Sequence, residues 1–246
     1  KAVERCGLKV DQPIFAGLAA SYAVLTEDER ELGVCVVDLG GGTMDIAIYT
    51  GGALRHTKVI PYAGNVVTSD ISYAFGTPPT DAEAIKVRYG CAYGCSVGKD
   101  ENVEVPSVGG RPPRSLQRQT LADVIEPRYR ELLNLVNDEI LQVQEQLRQN
   151  GVKHHLAAGV VLTGGASQIA GLVECAQKVF HTQVRIGEPL NITGLTDYAQ
   201  KPYYSTAVGL LHYGKQNLLS GEAEQEKKRT VGGLFNKLNS WFKKEF

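Results

Sequence analysis

Asp38 to Asp45 reads Asp-Leu-Gly-Gly-Gly-Thr-Met-Asp, and it stands between two apolar runs, Val34-Cys35-Val36-Val37 and Ile46-Ala47-Ile48-Tyr49. An apolar run that resumes straight after a short Gly-rich turn is a second strand. The spacing therefore predicts a β-hairpin and excludes a strand-to-helix phosphate loop. Consecutive glycines let backbone turn tightly and bring N–H groups against an anion, where a Cβ would obstruct approach. Asp38, at the end of the strand, is placed to orient a Mg²⁺ ion or its water. Thr43 offers a hydroxyl to a phosphate or to metal-bound water. A bare Gly-rich turn is equally compatible with a structural role, so the weight of the reading rests on the acids that flank this one.

The rest of the chain surrounds that hairpin with recognisable elements. Residues 53–60 add a third strand after Gly51-Gly52, which makes a β-meander. Upstream, residues 1–9 read as a helix ending near Gly7, and Pro13 to Leu25 as a helix whose small residues permit close backbone approach. Residues 62–76 begin with a Gly-Asn turn and continue as a helix. Residues 80–90 form another, with Thr80 as cap and Glu83 completing a capping box. Short strand fragments and the turn Gly109-Gly110-Arg111-Pro112-Pro113-Arg114 occupy 91–114. A long helix runs to Asn150, its apolar stripe Leu121, Ile125, Tyr129, Leu132, Val136, Ile140, Val143 and Leu147 recurring every three or four residues. Pro127 predicts a kink or a split in it. Ala158 to Leu162 is a buried strand that delivers Thr163-Gly164-Gly165-Ala166 into a helix opening at Ser167. A strand and turn follow within 184–192, then a helix from Tyr204 to Tyr213 with a small face at Ala207 and Gly209, and a polar stretch from Lys215 to Thr230.

A chain of 246 residues can bury one large core or two modest ones, and 43% hydrophobic with 22% charged residues is ordinary for a globular protein. Five cysteines at this length are no disulfide framework, and Cys91 and Cys95 lack the second pair a zinc site needs. Reduced thiols are expected. His154 and His155 are adjacent and expected to point in different directions; no chemistry is assigned to them. No apolar run reaches the roughly 18 residues of a membrane span, and no secretory signal is read. The opening Lys1-Ala2-Val3-Glu4-Arg5, without a methionine, reads as the middle of a helix and as part of a longer protein.

A strand that delivers Gly164-Gly165 into a helix lets a nucleoside lie flat on backbone while the helix N-terminus faces its phosphates. Glu83 and Lys86, three apart, share a helix face and can bracket a ribose and a base edge. Alone, the first is a turn and the second an ordinary ion pair. In order along the chain, DLGGGTMD, AEAIK and VLTGGASQIAGL resemble the second phosphate loop, the adenosine helix and the adenosine loop of the actin, Hsp70 and MreB superfamily. FAGLAASYAVL and STAVGLLHYG are similar to its two connecting helices. IPYAGNVVTSDISYAFG, PSVGGRPPRSLQRQTLADVIEPRY and the basic tail resemble the FtsA family of bacterial cell-division proteins, so the resemblance covers essentially the whole chain.

The resemblance implies an α/β fold, domain II of an actin-like (ribonuclease H-like) ATPase with an α/β insertion and a C-terminal amphipathic helix. It divides the chain into the end of domain IA with the first connecting helix (1–22), subdomain 2A (23–72 and 151–200), subdomain 2B (73–150), the second connecting helix (201–214), a linker (215–230) and a membrane-targeting helix (231–246). Asp38, Gly40, Gly41, Gly42 and Thr43 would meet the β- and γ-phosphates of ATP with Mg²⁺, Asp38 reaching the metal through water. Glu83 and Lys86 would take the ribose and base, and Gly164, Gly165 and Ala166 would back the adenosine. The superfamily's first phosphate loop, an Asp-x-Gly-Thr hairpin, has no counterpart here, so one wall of the nucleotide cleft is missing from this sequence.

The tail, Val231 to Phe246, sets Val231, Leu234, Phe235, Leu238, Trp241, Phe242 and Phe246 on one helical face and Lys237, Asn239, Lys243 and Lys244 on the other. At about 24 Å of helix it is too short to cross a hydrocarbon core of about 30 Å. From Lys227 onward six Lys and Arg face one Glu, +5, which leaves −6 for the rest of a chain whose net charge is −1. A basic, aromatic amphipathic helix after a polar linker reads as an interfacial anchor on anionic lipid, and a helix docked on the protein's own core is the alternative. The resemblance favours lipid and gives no role to nucleic acid. It further implies FtsZ as partner through its C-terminal peptide, self-assembly into an actin-like polymer, other division proteins reached through the missing half, and a place on the cytoplasmic face of the inner membrane at the division site. Turnover of ATP is expected to be slight. On the helix after Pro127, Arg128 and Glu131 lie off the apolar stripe and are candidate contacts for the FtsZ peptide; a solvated face with intrahelical pairs is the plainer reading. A chaperone ATPase of the Hsp70 type shares the loop but needs a substrate-binding domain after the second connecting helix, and a sugar kinase would leave the tail unexplained.

Overall fold

The Gly-rich hairpin lies at the heart of a five-stranded sheet. The computed structural model describes residues 1–10, 12–98, 101–194 and 196–218. It begins with α1 (Ala2–Arg5), α2 (Ala16–Val24) and α3 (Glu27–Leu32), then the meander β1 (Val34–Leu39), β2 (Met44–Thr50) and β3 (Ala53–Ile60). Next come α4 (Gly64–Phe75), α5 (Pro79–Tyr89), the hairpin β4 (Asn102–Val105) and β5 (Arg114–Gln117), and the long α6 (Arg118–Gln149). The chain continues through β6 (Val160–Thr163), α7 (Leu172–Phe180), β7 (Val184–Ile186) and α8 (Thr196–Ala199) to a last helix, α9, over 205–218. Strand order is β3-β2-β1-β6-β7, antiparallel through the meander and parallel from β1 to β6 to β7.

Strand β1 is central, and its unbroken apolar run reflects burial on both faces. Cys35, Val37 and Leu39 point into a core shared with α4, α6 and α7, whereas Val34 and Val36 meet Ala23 and Val24 of α2 and Val208 of α9. The first cluster extends without a break from the sheet to Val103 and Val105 of the small hairpin and to Leu121 at the start of α6. Helices α2 and α9 approach backbone to backbone. A Cβ on Gly209 would sit 1.7 Å from the carbonyl oxygen of Ala19, so only glycine fits there. The small-residue pattern in both segments had predicted such an approach, although Ala207, expected on the same face, is exposed.

Several local expectations give way to packing. Helix α5 starts at Pro79 with no side-chain cap, so Thr80 is not the head of a capping box; Glu83 is drawn instead to Thr68 and Lys86. The capping box of this fold is Thr26 with Glu29 on α3. Gly64 and Asn65, read as a turn, are the first residues of α4. The segment after β6 is a short 3₁₀ turn, Gly165–Gln168, and α7 opens only after Gly171. Helix α6 runs unsplit through Pro127, because its buried stripe of Leu121, Ile125, Tyr129, Leu132, Val136, Ile140 and Val143 holds both sides of the proline to one core. His154 and His155 do not diverge: their rings lie against each other with centroids 4.2 Å apart. Helix α9 continues to 218, past the expected start of the linker at 215, and the tail residues 231–246 lie outside the described residues. Among the described residues no helix is long and apolar enough to cross a membrane.

Candidate functional site

Where β1 and β6 end side by side, the loops that follow them open a cavity of about 540 Å³. Its lining includes Gly40, Gly41, Glu83, Lys86, Gly165 and Ala166, residues that sequence had assigned to one nucleotide from three distant segments. The loop from β1 to β2 is closed by a bond from the Gly40 amide to the Thr43 carbonyl, 2.9 Å. None of Gly40, Gly41 and Gly42 has positive φ, so the turn itself does not demand glycine. Close approach favours it at two positions: a Cβ on Gly40 would lie 3.1 Å from the Thr43 carbonyl oxygen and one on Gly41 3.0 Å from the Asn65 side chain, while one on Gly42 would meet nothing. The amides of Gly41 and Gly42 donate to no acceptor among the described residues, whereas the amides of Gly64 and Asn65 bond back to the Gly40 and Gly41 carbonyls. The N-terminus of α4 is thereby pinned against the loop, adding its positive dipole end to the two open amides.

Glu83 and Lys86 do share a face of α5, but they satisfy each other before any ligand. The Lys86 ammonium, 7% exposed, donates to the Gly64 carbonyl at 3.0 Å and the Thr68 hydroxyl at 2.8 Å, and pairs with Glu83 Oε2 at 2.7 Å. Its three protons are committed. Thr68 also bonds Glu83 Oε2, which leaves Oε1 as the carboxylate oxygen without a bond among the described residues, on a side chain that lines the cavity. Burial works to raise the Glu83 pKa, and the bonds from Lys86 and Thr68 together with the lysine charge outweigh it, so the carboxyl is held below its usual range. The Tyr129 hydroxyl donates to the Ala166 carbonyl at 3.0 Å, and burial, aided by the Glu83 charge, pushes its pKa well up, so it stays protonated.

Asp38, Thr43 and Gly164 stand behind this lining. Asp38 faces Asp45 in register across the hairpin. Burial raises the Asp38 pKa and the Asp45 charge adds to the rise, while a bond from Thr206 opposes both. The Thr43 hydroxyl turns to Asp45 at 3.4 Å. Gly164, at φ 87 and ψ 171, occupies backbone space reserved for glycine, and a Cβ there would fall 2.3 Å from Asp38 Oδ1. Among the described residues no group of three or more side chains is arranged to hold a metal.

Sequence reasoning missed Gly64, Asn65, Val87, Gln168, Ile169 and Tyr203 in the lining, and Thr206 behind it. Tyr129 was visible as the one polar-tipped member of an apolar stripe; Tyr203 and Thr206 carried no local signal. Arg128 and Glu131 are placed elsewhere, away from the cavity. Arg128 pairs with Glu131 on its own helix and grips Asp70 of α4 with two bonds, at 2.5 and 3.0 Å. The membrane-facing residues expected in 231–246 lie outside the described residues.

The model of the family described as "Cell division protein FtsA" matches residues 35–209. The cell division protein FtsA of Escherichia coli K12 is 83% identical over 248 positions, covering 100% of this chain and 59% of that protein. The chain thus spans about three-fifths of the length of this curated relative. Among solved structures, MreB5 of Spiroplasma citri bound to ADP superposes with a TM-score of 0.66 at 16% identity, covering 89% of this chain and 64% of that one. MreB5 of the same organism bound to AMPPNP superposes at 0.61 with 18% identity, over 85% of this chain and 60% of that one. The five-stranded sheet with its flanking helices is an actin-like ATPase fold.

Proposed function

Since the chain belongs to the FtsA family of cell division proteins, we propose that it supplies one wall of an ATP site and the membrane anchor of an actin-like protein that ties FtsZ polymers to the cytoplasmic membrane. The observation that carries the nucleotide reading is the convergence of the hairpin loop, α5 and the Gly164–Ala166 turn on one cavity. The open amides of Gly41 and Gly42 and the end of α4 suit the phosphates of ATP, with Mg²⁺ neutralising them beside Asp38. Glu83 Oε1 suits a ribose hydroxyl. Lys86 supports it as a saturated, buried positive charge, and Gly165 and Ala166 offer a flat backbone to the base. Lipids are met by the tail, FtsZ by subdomain 2B with Arg128 and Glu131 among its contacts, and other division proteins by the half of the molecule that this sequence lacks. Self-assembly accords with the actin-like fold. Turnover of ATP is read as slight, as the family resemblance implies. The chaperone reading has no observation in its favour.

Calorimetric titration with ATP and Mg²⁺ tests the site. A protein extended to the length of its relatives is expected to bind, and this chain alone to bind far more weakly, because the second wall is absent. Gly165→Asp in the longer protein should weaken binding at least tenfold, about 1.4 kcal/mol, by setting bulk and negative charge where the adenosine lies. Equal affinity of the short and long proteins would refute the missing wall, and an unaffected Gly165→Asp would refute the site.

A further inference from the structure

Helices α6 and α7 share one core, to which the first brings Leu133, Val136 and Ile140 and the second Leu172, Cys175 and Ala176. Another cleft, of about 300 Å³, is lined by the same two helices and has no lining residue in common with the cavity at the ends of β1 and β6. Arg130, Asn134 and Asn137 come to it from α6, Lys178 and Val179 from α7, and His181 from the position that ends α7. No carboxylate of the described residues lines it. Arg130 gives Nη2 to Glu126 at 2.5 Å, and its Nε and Nη1 make no bond among the described residues. Glu126 is itself fully occupied, since its other oxygen accepts the Gly94 amide at 2.7 Å. Lys178 donates to the Tyr93 hydroxyl at 2.6 Å and has two protons left. That bond raises the Lys178 pKa and the Arg130 charge opposes the rise, so the two cations sense each other. The side chains of Asn134, Asn137 and His181 have no hydrogen-bond partner among the described residues.

Cations in the last turn of a helix complement its dipole, and Lys178 and His181 need no ligand to explain them. That account does not extend to Arg130 and the two amides that α6 brings to the same cleft. His181 also holds a left-handed backbone, φ 52 and ψ 32, at a position where glycine would end the helix without strain. We propose that this cleft binds a phosphate group, carried either by a small soluble ester or by the headgroup of an anionic phospholipid. Lys178 and Arg130 meet its charge, and Asn134, Asn137 and His181 donate to its oxygens. A lining rich in free donors and without a carboxylate suits an oxyanion, because hydrogen bonds from cations to charged oxygens are the strong ones. Val179, the apolar member, lies along the carbon chain that bears the phosphate. The dipole of α7 opposes any anion here, so the expected dissociation constant is on the order of 1 mM.

Titration of the chain with glycerol 3-phosphate, followed by residue-resolved NMR, tests the proposal. The side-chain amides of Asn134 and Asn137 and the ring of His181 should shift together and saturate, while sodium chloride at equal ionic strength should leave them in place. Lys178→Gln should weaken the binding at least tenfold. His181→Gly should weaken it as well, yet hold or raise the unfolding temperature, because glycine adopts this backbone freely. Loss of ligand without loss of stability separates a binding role from a structural one. Sedimentation with phosphatidylglycerol vesicles, in a Trp241→Glu, Phe242→Glu background that removes the tail's contribution, tells the two sources apart. Vesicle binding that Lys178→Gln abolishes marks a lipid headgroup, and no vesicle binding beside a saturating titration marks a soluble ester. Shifts that never saturate, that chloride reproduces, or that appear at Gly41 and Gly42 alone would overturn the proposal. Equal affinity of the wild type and Lys178→Gln would do the same.

Discussion

Gly164 and Gly165 are neighbours of identical chemistry with opposite demands. Gly164 lies at φ 87 and ψ 171, a region essentially closed to other residues, and its absent Cβ is the space filled by Asp38 Oδ1 and, at 2.5 Å, the Leu39 carbonyl oxygen. The Leu39 carbonyl is backbone of β1 and cannot swing aside as a side chain could. Gly165 has no positive φ, and the nearest atom to its Cβ would be that of Tyr203 at an ordinary 3.7 Å. Gly164→Ala is therefore expected to cost about 2–3 kcal/mol of stability, and Gly165→Ala to stay within about 0.5 kcal/mol of the wild type. Urea denaturation of the two variants checks the difference; equal losses would show that the strain at Gly164 is relieved by some movement of β1.

At the scale of elements, α4 and α6 meet through an apolar face and one ionic clasp. The Arg128 guanidinium spans both oxygens of Asp70 and also reaches Glu131. The hydrogen bonds that Arg128 donates to Asp70, reinforced by both negative charges, hold its pKa above the usual arginine range. From sequence this position reads as a candidate peptide contact or a solvated face with intrahelical pairs. The clasp alters that expectation. Arg128→Glu would set a carboxylate against Asp70 and leave Glu131 without its partner, and about 1 kcal/mol of stability should be lost, recovered in part by Asp70→Arg in the same chain. Thermal unfolding of both single variants and the double variant measures the coupling. Independent, additive effects would mean that the clasp contributes nothing. Binding of an FtsZ tail peptide is best compared between the wild type and the charge-reversed pair, where a change in affinity cannot be ascribed to a loosened α4.

Across the whole molecule, charge and apolar surface are distributed unevenly. The last twenty residues carry +5 against −6 in the remainder, and the aromatic residues of that segment alternate with lysines at helical spacing. In vesicle sedimentation, replacing Trp241 and Phe242 with Glu is expected to reduce binding to anionic bilayers at least tenfold, since two anchors are lost and the net charge near the lipid falls by two. Unfolding of the body is expected to be unchanged, since this reading assigns the two side chains to lipid. Undiminished sedimentation of the double variant would place the membrane contact, if there is one, on another surface.

The sequence by itself determined what depends on neighbours along the chain. Alternation and apolar runs specified the meander, the three-and-four spacing specified α6, and the motif strings specified the family and six of the thirteen residues that line the cavity. Each is a property of a local period or of a short contiguous pattern, and a period survives whatever packs against it. Start points were less legible. Thr80, Gly64 and Ser167 were misread because helix ends are decided by tertiary partners: Glu83 prefers a bond to Thr68 and Lys86, and Gly171 is confined by Tyr93 and Cys91. Only the tertiary structure could disclose that Lys86 has no proton to spare, that Arg128 belongs to Asp70, and that Thr206 holds Asp38. In each case the partner comes from a different element, and the energy that selects it, desolvation of a charge relieved by one well-placed bond, exists only once the two elements have been packed together.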